Sequence, residues 1–334
     1  MNLPMMLLKE FVNFNKTGNN TTEGYQKMIA LYCKSNGFSN YFLSKFVSCK
    51  NRKTTKAIIA NLHQEASEIL SWNDNNDYLI KQLKNDGYVV LKTKLPKKLC
   101  HDLREFAESK KSLPSGLENK IENFVQYKKS DPEASTYNFD ETDLINNPII
   151  QSLSCDPKIL SVVAQYLKAP PILDLVAMWW STCFKKEADA RSAQLYHFDM
   201  DRLHWLKVFF YLTDVDSDTG AHCYVAKSHR PGQKPKEIRA RGYSRIPDSD
   251  LKKFYPEKNF NEIEGVAGTI IIGDTAAYHK GKPLVRDHRL VLEFEYTNSM
   301  FGAPTSSLFV NKPTPAFINR SRLHPKMFEK YKFV

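Results

Sequence analysis

Residues 193–212, AQLYHFDMDRLHWLKVFFYL, constrain this chain more than any other stretch. On a β-strand successive side chains point to opposite faces. In His197-Phe198-Asp199 the imidazole and the carboxylate therefore project to one side while Phe198 packs to the other. A neutral imidazole nitrogen and a carboxylate oxygen are two of the three donors of a 2-His-1-carboxylate facial site, which holds Fe(II) and leaves positions open for a co-substrate and O2. The second histidine has to come from elsewhere, and His204, His222, His229, His279 and His288 compete for the place. In a chain with nine His, such a triplet arises by chance about half the time, so its setting decides. That setting is a series of strands. Residues 206–211 are a β-branched and aromatic run, and residues 214–220, DVDSDTG, read as a polar turn. Further on, GVAGTIIIGD (265–274) is an apolar strand bounded by glycines that leads into Tyr278-His279, and Arg289 opens another strand, RLVLEFEY.

The rest of the chain supplies enough apolar material to enclose such a site. With 334 residues, 42% of them apolar, it suffices for one large domain or a domain with an appendage. Lys and Arg outnumber Asp and Glu by 48 to 37, a net charge of +11 that favours anionic small molecules, membrane surfaces or nucleic acid. The charge is dispersed, and no RRM, zinc-finger or helix-turn-helix signature accompanies it, so nucleic acid is not an expected partner. Six cysteines lie far apart without a CxxC, as in a reduced, cytoplasmic protein. The opening MNLPMMLLKEF has too short an apolar run for a signal peptide or a membrane span.

Taken in order, residues 1–74 read as a helical N-terminal extension, with apolar positions at helical spacing in SNYFLSKFVSC and TTKAIIANLHQEASEILSW. A helix, YLIKQLKND, should end at Gly87 in the left-handed conformation and run into the strand YVVLKT. KKLCHDLREFAESKK is a second helix. Residues 110–140 are charged and irregular, a connector or a substrate lid. Residues 146–168 return to amphipathic helix, and ILDLVAMWWSTCF (172–184) is a strand. Lys207 and Tyr211 share a strand face, and a buried Lys207 must meet a carboxylate or sit at an edge.

These residues carry a resemblance. AQLYHFDMDRLHWLKVFFYLTDVDSDTGAHCYVAKSHRPG followed by GDTAAYHKGKPLVRDHRLVLEFEY is similar to the phytanoyl-CoA dioxygenase family of Fe(II)- and 2-oxoglutarate-dependent oxygenases. Upstream, LKNDGYVVLKTKLPKKLCHDLREF and NNPIIQSLSCDPKILSVVAQYLKAPPIL resemble its N-terminal segments, so the domain it implies spans residues 75–310, with 311–334 a C-terminal tail. The implied fold is mainly β with flanking helices (α+β), around a double-stranded β-helix, or cupin-like jelly roll, made by residues of about 170 to 305.

By the same resemblance His279 completes a His197, Asp199, His279 metal and catalytic triad, and Arg289 binds the C5 carboxylate of 2-oxoglutarate, with Arg286 its nearest competitor. A guanidinium suits that carboxylate because it can form two parallel hydrogen bonds. Lys207, Ser181 and Trp180 are further candidates for the co-substrate pocket, and His229 belongs to a structural Ser-His turn. Related halogenases lack the carboxylate ligand, so Asp199 implies hydroxylation, or desaturation or cyclisation, of a small anionic or conjugated molecule, with succinate and CO2 released. The rivals are a jelly-roll binding protein that is non-catalytic or holds another metal, and a basic nucleic-acid or membrane-surface binder.

Overall fold

The N-terminal quarter of the chain is helical because its apolar residues recur at helical spacing and its turns supply caps. The computed structural model describes residues 3–115, 123–185 and 187–334. Helices α1 (Leu3–Thr17), α2 (Thr22–Ser35), α3 (Phe38–Lys50) and α4 (Arg52–Gln64) come first. Thr21 caps α2 by accepting from the Gly24 amide at 2.9 Å. Asn36 and Gly37, both with positive φ, turn the chain into α3. Helix α5 (Asn76–Asp86) ends at Gly87, φ 88°, as its sequence leads one to expect, and strand β1 (Tyr88–Lys94) and helix α6 (Lys97–Ser109) follow.

Between residues 110 and 140, expected to be irregular or a lid, residues 116–122 lie outside the described residues. The rest holds three short strands, β2 (Lys111–Ser115), β3 (Val125–Gln126) and β4 (Thr136–Asn138). Beyond α7 (Glu141–Ile145), the single helix expected over 146–168 is two, α8 (Pro148–Ser154) and α9 (Pro157–Leu167). Asp156 caps α9, accepting from the Lys158 and Ile159 amides, and Pro157 cannot donate back into α8.

The remaining strands of the barrel are β5 (Ile172–Thr182), β6 (Trp205–Tyr211), β7 (His222–Val225), β8 (Phe260–Ile263), β9 (Thr269–Gly273), β10 (His279–Gly281) and β11 (His288–Thr297). They pair antiparallel into an eight-stranded sheet, β1-β9-β6-β11-β5-β4-β2-β3, and a three-stranded sheet, β10-β7-β8. Phe209, Tyr211, Tyr224, Ile263, Ile271 and Val291 fill the space between them. This is the expected double-stranded β-helix. Register sorts residues that hydropathy cannot, since β6 and β11 are buried almost throughout. Leu206, Val208 and Phe210 of β6, with Leu290, Leu292 and Phe294 of β11, pack outward with the apolar faces of α5, α6, α8 and α9. The alternate residues Lys207, Phe209, Arg289, Val291 and Glu293 face inward.

Residues 3–74 pack on this core through two surfaces. Leu7, Phe11, Met28, Leu31 and Tyr32 join Tyr196, Phe198, Met200 and Trp205, whereas Ile58 and Leu62 join the cluster that contains α9. Tyr32 stacks on Phe198 at 5.6 Å, so the N-terminal helices back the segment that bears His197 and Asp199. Arg202, just after that segment, is fixed by a buried two-bond pair with Asp174 of β5 at 2.6 and 2.8 Å. After residue 310 the chain forms a helix (Pro315–Leu323) and a strand (Tyr331–Phe333) that pairs in parallel with Leu308–Val310. All six cysteines are free thiols. No helix among the described residues is long and apolar enough to cross a membrane.

Candidate metal centre and co-substrate chamber

His197 sits in a short bridged segment rather than a full strand. Its amide donates to the His279 carbonyl at 3.0 Å, and the His279 amide donates back at 2.8 Å, so the two residues lie directly opposite each other. The Asp199 amide donates to the Thr275 carbonyl at 2.8 Å. Backbone pairing between two distant segments therefore sets the positions of all three side chains. Each imidazole Nδ1 lies 3.0 Å from a carbonyl, His197 from Leu195 and His279 from Ala277. A carbonyl can only accept, so Nδ1 carries the proton and Nε2 keeps its lone pair. The two Nε2 atoms stand 3.7 and 3.6 Å from different oxygens of Asp199, and one ligand atom from each residue lies within 4.8 Å of the others. Burial pushes the His197 imidazole down to about 3 and lowers His279 as well, so both rings are neutral at neutral pH. Burial opposes ionisation of Asp199, but the Lys207 ammonium beside it outweighs that cost and holds the carboxyl far below its usual range. Two neutral nitrogens and one anionic oxygen facing a common point fit a divalent iron.

Lys207 does meet carboxylates. Its Nζ lies 3.0 Å from Asp199, 2.9 Å from Glu293 and 3.3 Å from Glu295. Burial raises both glutamates, most strongly Glu295, and Lys207 only partly offsets it. The ammonium is thus directed at the back of the Asp199 carboxylate.

Beside the triad, His222, Tyr224, Phe209 and Arg289 face the interior between the two sheets, all buried, with the Phe209 and His222 rings 4.5 Å apart. The His222 and Tyr224 rings stack 5.9 and 5.7 Å from that of His279, and Gly273 makes room for the Tyr224 hydroxyl, because a Cβ there would stand 2.0 Å from it. Arg289 is 4% exposed; it donates to the Gly220 carbonyl and, at 3.2 Å, to Ser181 Oγ, its partner in the β5–β11 register. No carboxylate among the described residues pairs with it, and burial lowers the pKa of its guanidinium. Arg289 Nε, His222 Nε2 and the Tyr224 hydroxyl are buried without a partner. Each such group costs about 1–3 kcal/mol, more when charged. A buried guanidinium without a countercharge, with two further unpartnered polar atoms beside it, marks a place that suits an anion.

The competing residues lie elsewhere. Arg286 is exposed and paired with Asp216 and Asp218. His204 is partly buried, its ring 5.3 Å from Tyr166. Ser228 accepts from the Tyr278 amide at 2.8 Å while His229 is buried against Gly87, so this turn is structural. Trp180 points outward, stacked on Tyr127 at 5.2 Å and set edge-on to His288, and the inward neighbour of Ser181 is Trp179. The correction follows from register, because Arg289 pairs with Ser181 and Val291 with Trp179. The sequence offers His222 only as a competing metal ligand, and it gives Tyr224, Glu293 and Glu295 no role in the site. For His222 and Tyr224 the signal was available in the alternation of HCYV.

A family model described as phytanoyl-CoA dioxygenase (PhyH) matches residues 83–288, more than half of the chain. The chain belongs to the phytanoyl-CoA dioxygenase family. The family match contains His197, Asp199 and His279, and Arg289 directly follows its last residue. Among solved structures, HygX from Streptomyces hygroscopicus with nickel and 2-oxoglutarate bound is similar at 16% identity and a TM-score of 0.50, over 72% of this chain and 92% of that one. The non-haem α-ketoglutarate-dependent epimerase SnoN from nogalamycin biosynthesis matches at 16% identity and a TM-score of 0.49, over 66% of this chain and 82% of that one. AviO1 from Streptomyces viridochromogenes Tue57 matches at 16% and 0.46, over 70% and 100%. At these identities the likeness concerns the fold alone. No curated protein matches the chain.

Proposed function

We propose that this family member is an Fe(II)- and 2-oxoglutarate-dependent oxygenase that hydroxylates a C–H bond of a small organic molecule, with succinate and CO2 as co-products. His197, Asp199 and His279 would hold the metal, and Arg289, backed by Ser181, would take the far carboxylate of 2-oxoglutarate. The observation that carries the reading is the buried guanidinium of Arg289, with no carboxylate partner among the described residues, on the same inner face as a two-imidazole, one-carboxylate donor set. HygX, a structural neighbour in this fold, binds nickel and 2-oxoglutarate, which supports the same pairing here. When bound, the iron and 2-oxoglutarate supply the oxidising chemistry, and the protein supplies position and dryness.

The chain's own residues divide that work. The carbonyls of Leu195 and Ala277 fix the imidazole tautomers, Lys207 keeps Asp199 ionised, and the apolar lining formed by Phe209, Ile271 and Val291 limits water around the site.

Anaerobic titration of the Fe(II)-loaded protein with 2-oxoglutarate tests the reading without a substrate. A weak visible charge-transfer band is expected to grow and saturate. Its absence from folded, iron-loaded protein would make the barrel a binding module. Arg289→Ala is expected to weaken 2-oxoglutarate about tenfold to a hundredfold while metal affinity stays near that of the wild type. Equal loss of both would instead indicate a folding defect.

A further inference from the structure

The segment facing His197 from the side opposite His279 carries a cation that the proposed chemistry does not use. Tyr196 and Ile246 exchange both backbone hydrogen bonds, at 3.1 and 2.8 Å, in an antiparallel bridge. One step along that bridge, Arg245 stands opposite His197, and strand alternation puts their side chains on the same face. On its other edge His197 pairs with His279. Arg245, His197 and His279 therefore form one row across three neighbouring segments, with Arg245 at the outer end and exposed.

The other arginines of this stretch are tied down. Arg230 donates to the Lys84 and Asn85 carbonyls, Arg239 to those of Cys33 and Lys34, and Arg241 pairs with Asp250. Arg245 has no hydrogen bond or ion pair among the described residues. Its charge nevertheless reaches the site, helping to depress His197 and His279 and offsetting part of the rise that burial gives the Tyr243 hydroxyl. Tyr243, two residues earlier, stands edge-on to Phe198 at 5.5 Å, which lays this loop against the metal-binding segment. The Tyr25 hydroxyl of α2 donates to Asp201, two residues after Asp199, at 3.4 Å.

We propose that Arg245 anchors the organic substrate by binding a carboxylate or phosphate group at the surface beside His197, so that the attached carbon skeleton extends towards the triad. The proposal rests on the oxygenase reading above and adds the substrate class. A guanidinium makes two parallel hydrogen bonds to either oxyanion. Two arginines then serve two anions. Arg289 lies buried on β11 and Arg245 lies at the surface beyond His197, so occupation of one leaves the other free.

The test uses full-length protein loaded with Mn(II) and 2-oxoglutarate, which occupies Arg289, and reads nuclear relaxation of a probe anion rather than turnover. Inorganic phosphate is followed by its phosphorus signal and acetate by its methyl protons. A saturable enhancement is expected for at least one of them, and which one responds tells phosphate from carboxylate. In Arg245→Ala and Arg245→Glu the apparent affinity is expected to fall about tenfold or more, while Arg286→Ala, which removes an exposed arginine away from the site, keeps the wild-type value. The 2-oxoglutarate band of the Fe(II) form should persist in all three variants. If neither anion is relaxed, or the enhancement survives in Arg245→Ala, the inference is overturned and the oxygenase reading stands. If the wild type shows no band, both fall together.

Discussion

Asp199→Ala is expected to abolish turnover, by about a thousandfold or more, to remove the 2-oxoglutarate charge-transfer band, and to leave the thermal unfolding temperature close to that of the wild type. The two parts of this result come from different atoms. Function is lost because the side chain supplies the one anionic donor of the set, and two imidazoles alone hold a hard divalent ion poorly. The fold is kept because the backbone of residue 199 makes the structural contact, its amide to the Thr275 carbonyl, and alanine retains it. Nor is Lys207 stranded by the change, since Glu293 and Glu295 stay within ion-pair distance. His197→Ala and His279→Ala should behave alike, because the pairing between those two residues is also carried by the main chain. Iron binding measured by anaerobic equilibrium dialysis, with unfolding followed on the same samples, separates the two effects. Wild-type turnover in any of the three variants would remove that residue from the triad, and a collapsed unfolding transition would mean that the side chains carry structure as well.

Some of this site can be read from the sequence because it follows from local geometry. His197 and Asp199 share a face by strand alternation, and that holds even though they lie in a bridged segment rather than a long strand. His279 and Arg289 could be chosen over His222 and Arg286 only through family resemblance, because the pairing that brings them together joins segments far apart in the chain. Trp180 shows how sharply register acts. It and Trp179 are adjacent, both aromatic and in the same strand, yet one lines the inner face and the other the helical layer. Hydropathy cannot separate them when both faces of the sheet are covered. The short strands β2 to β4 do not show in the sequence because Pro114 and a run of charged residues hide any period of two, and they exist because the edge of β5 offers unpaired backbone groups. The division of residues 146–168 into two helices was visible in Asp156-Pro157 as a cap followed by a residue that cannot donate. The environment of Arg245 was not legible at all. Its alignment with His197 depends on the single bridge between Tyr196 and Ile246.

Lys207→Met tests the charge balance behind the triad. In the metal-free protein the ammonium is the common partner of Asp199, Glu293 and Glu295, all three buried. Methionine keeps most of the apolar stem and removes the charge, leaving three carboxyl groups in a region that water does not reach. Removing one member of a buried ion-pair set costs about 3–5 kcal/mol, a large fraction of the whole stability of a protein. The loss should depend on pH with a definite sign. Glu293 and Glu295 already have pKa values raised by burial, and losing the ammonium raises them further. A carboxyl whose pKa is higher folded than unfolded binds more protons in the folded state, so its penalty grows as pH rises above the unfolded value and shrinks as pH falls towards it. The stability gap between wild type and Lys207→Met is therefore expected to be wider at about pH 8 than at about pH 5. Denaturant unfolding of the metal-free proteins measures it. Adding Glu293→Gln and Glu295→Gln to Lys207→Met should recover most of the lost stability, because neutral amides need no countercharge. If the gap is the same at both pH values and the added substitutions recover nothing, Lys207 acts through packing of its stem and not through its charge.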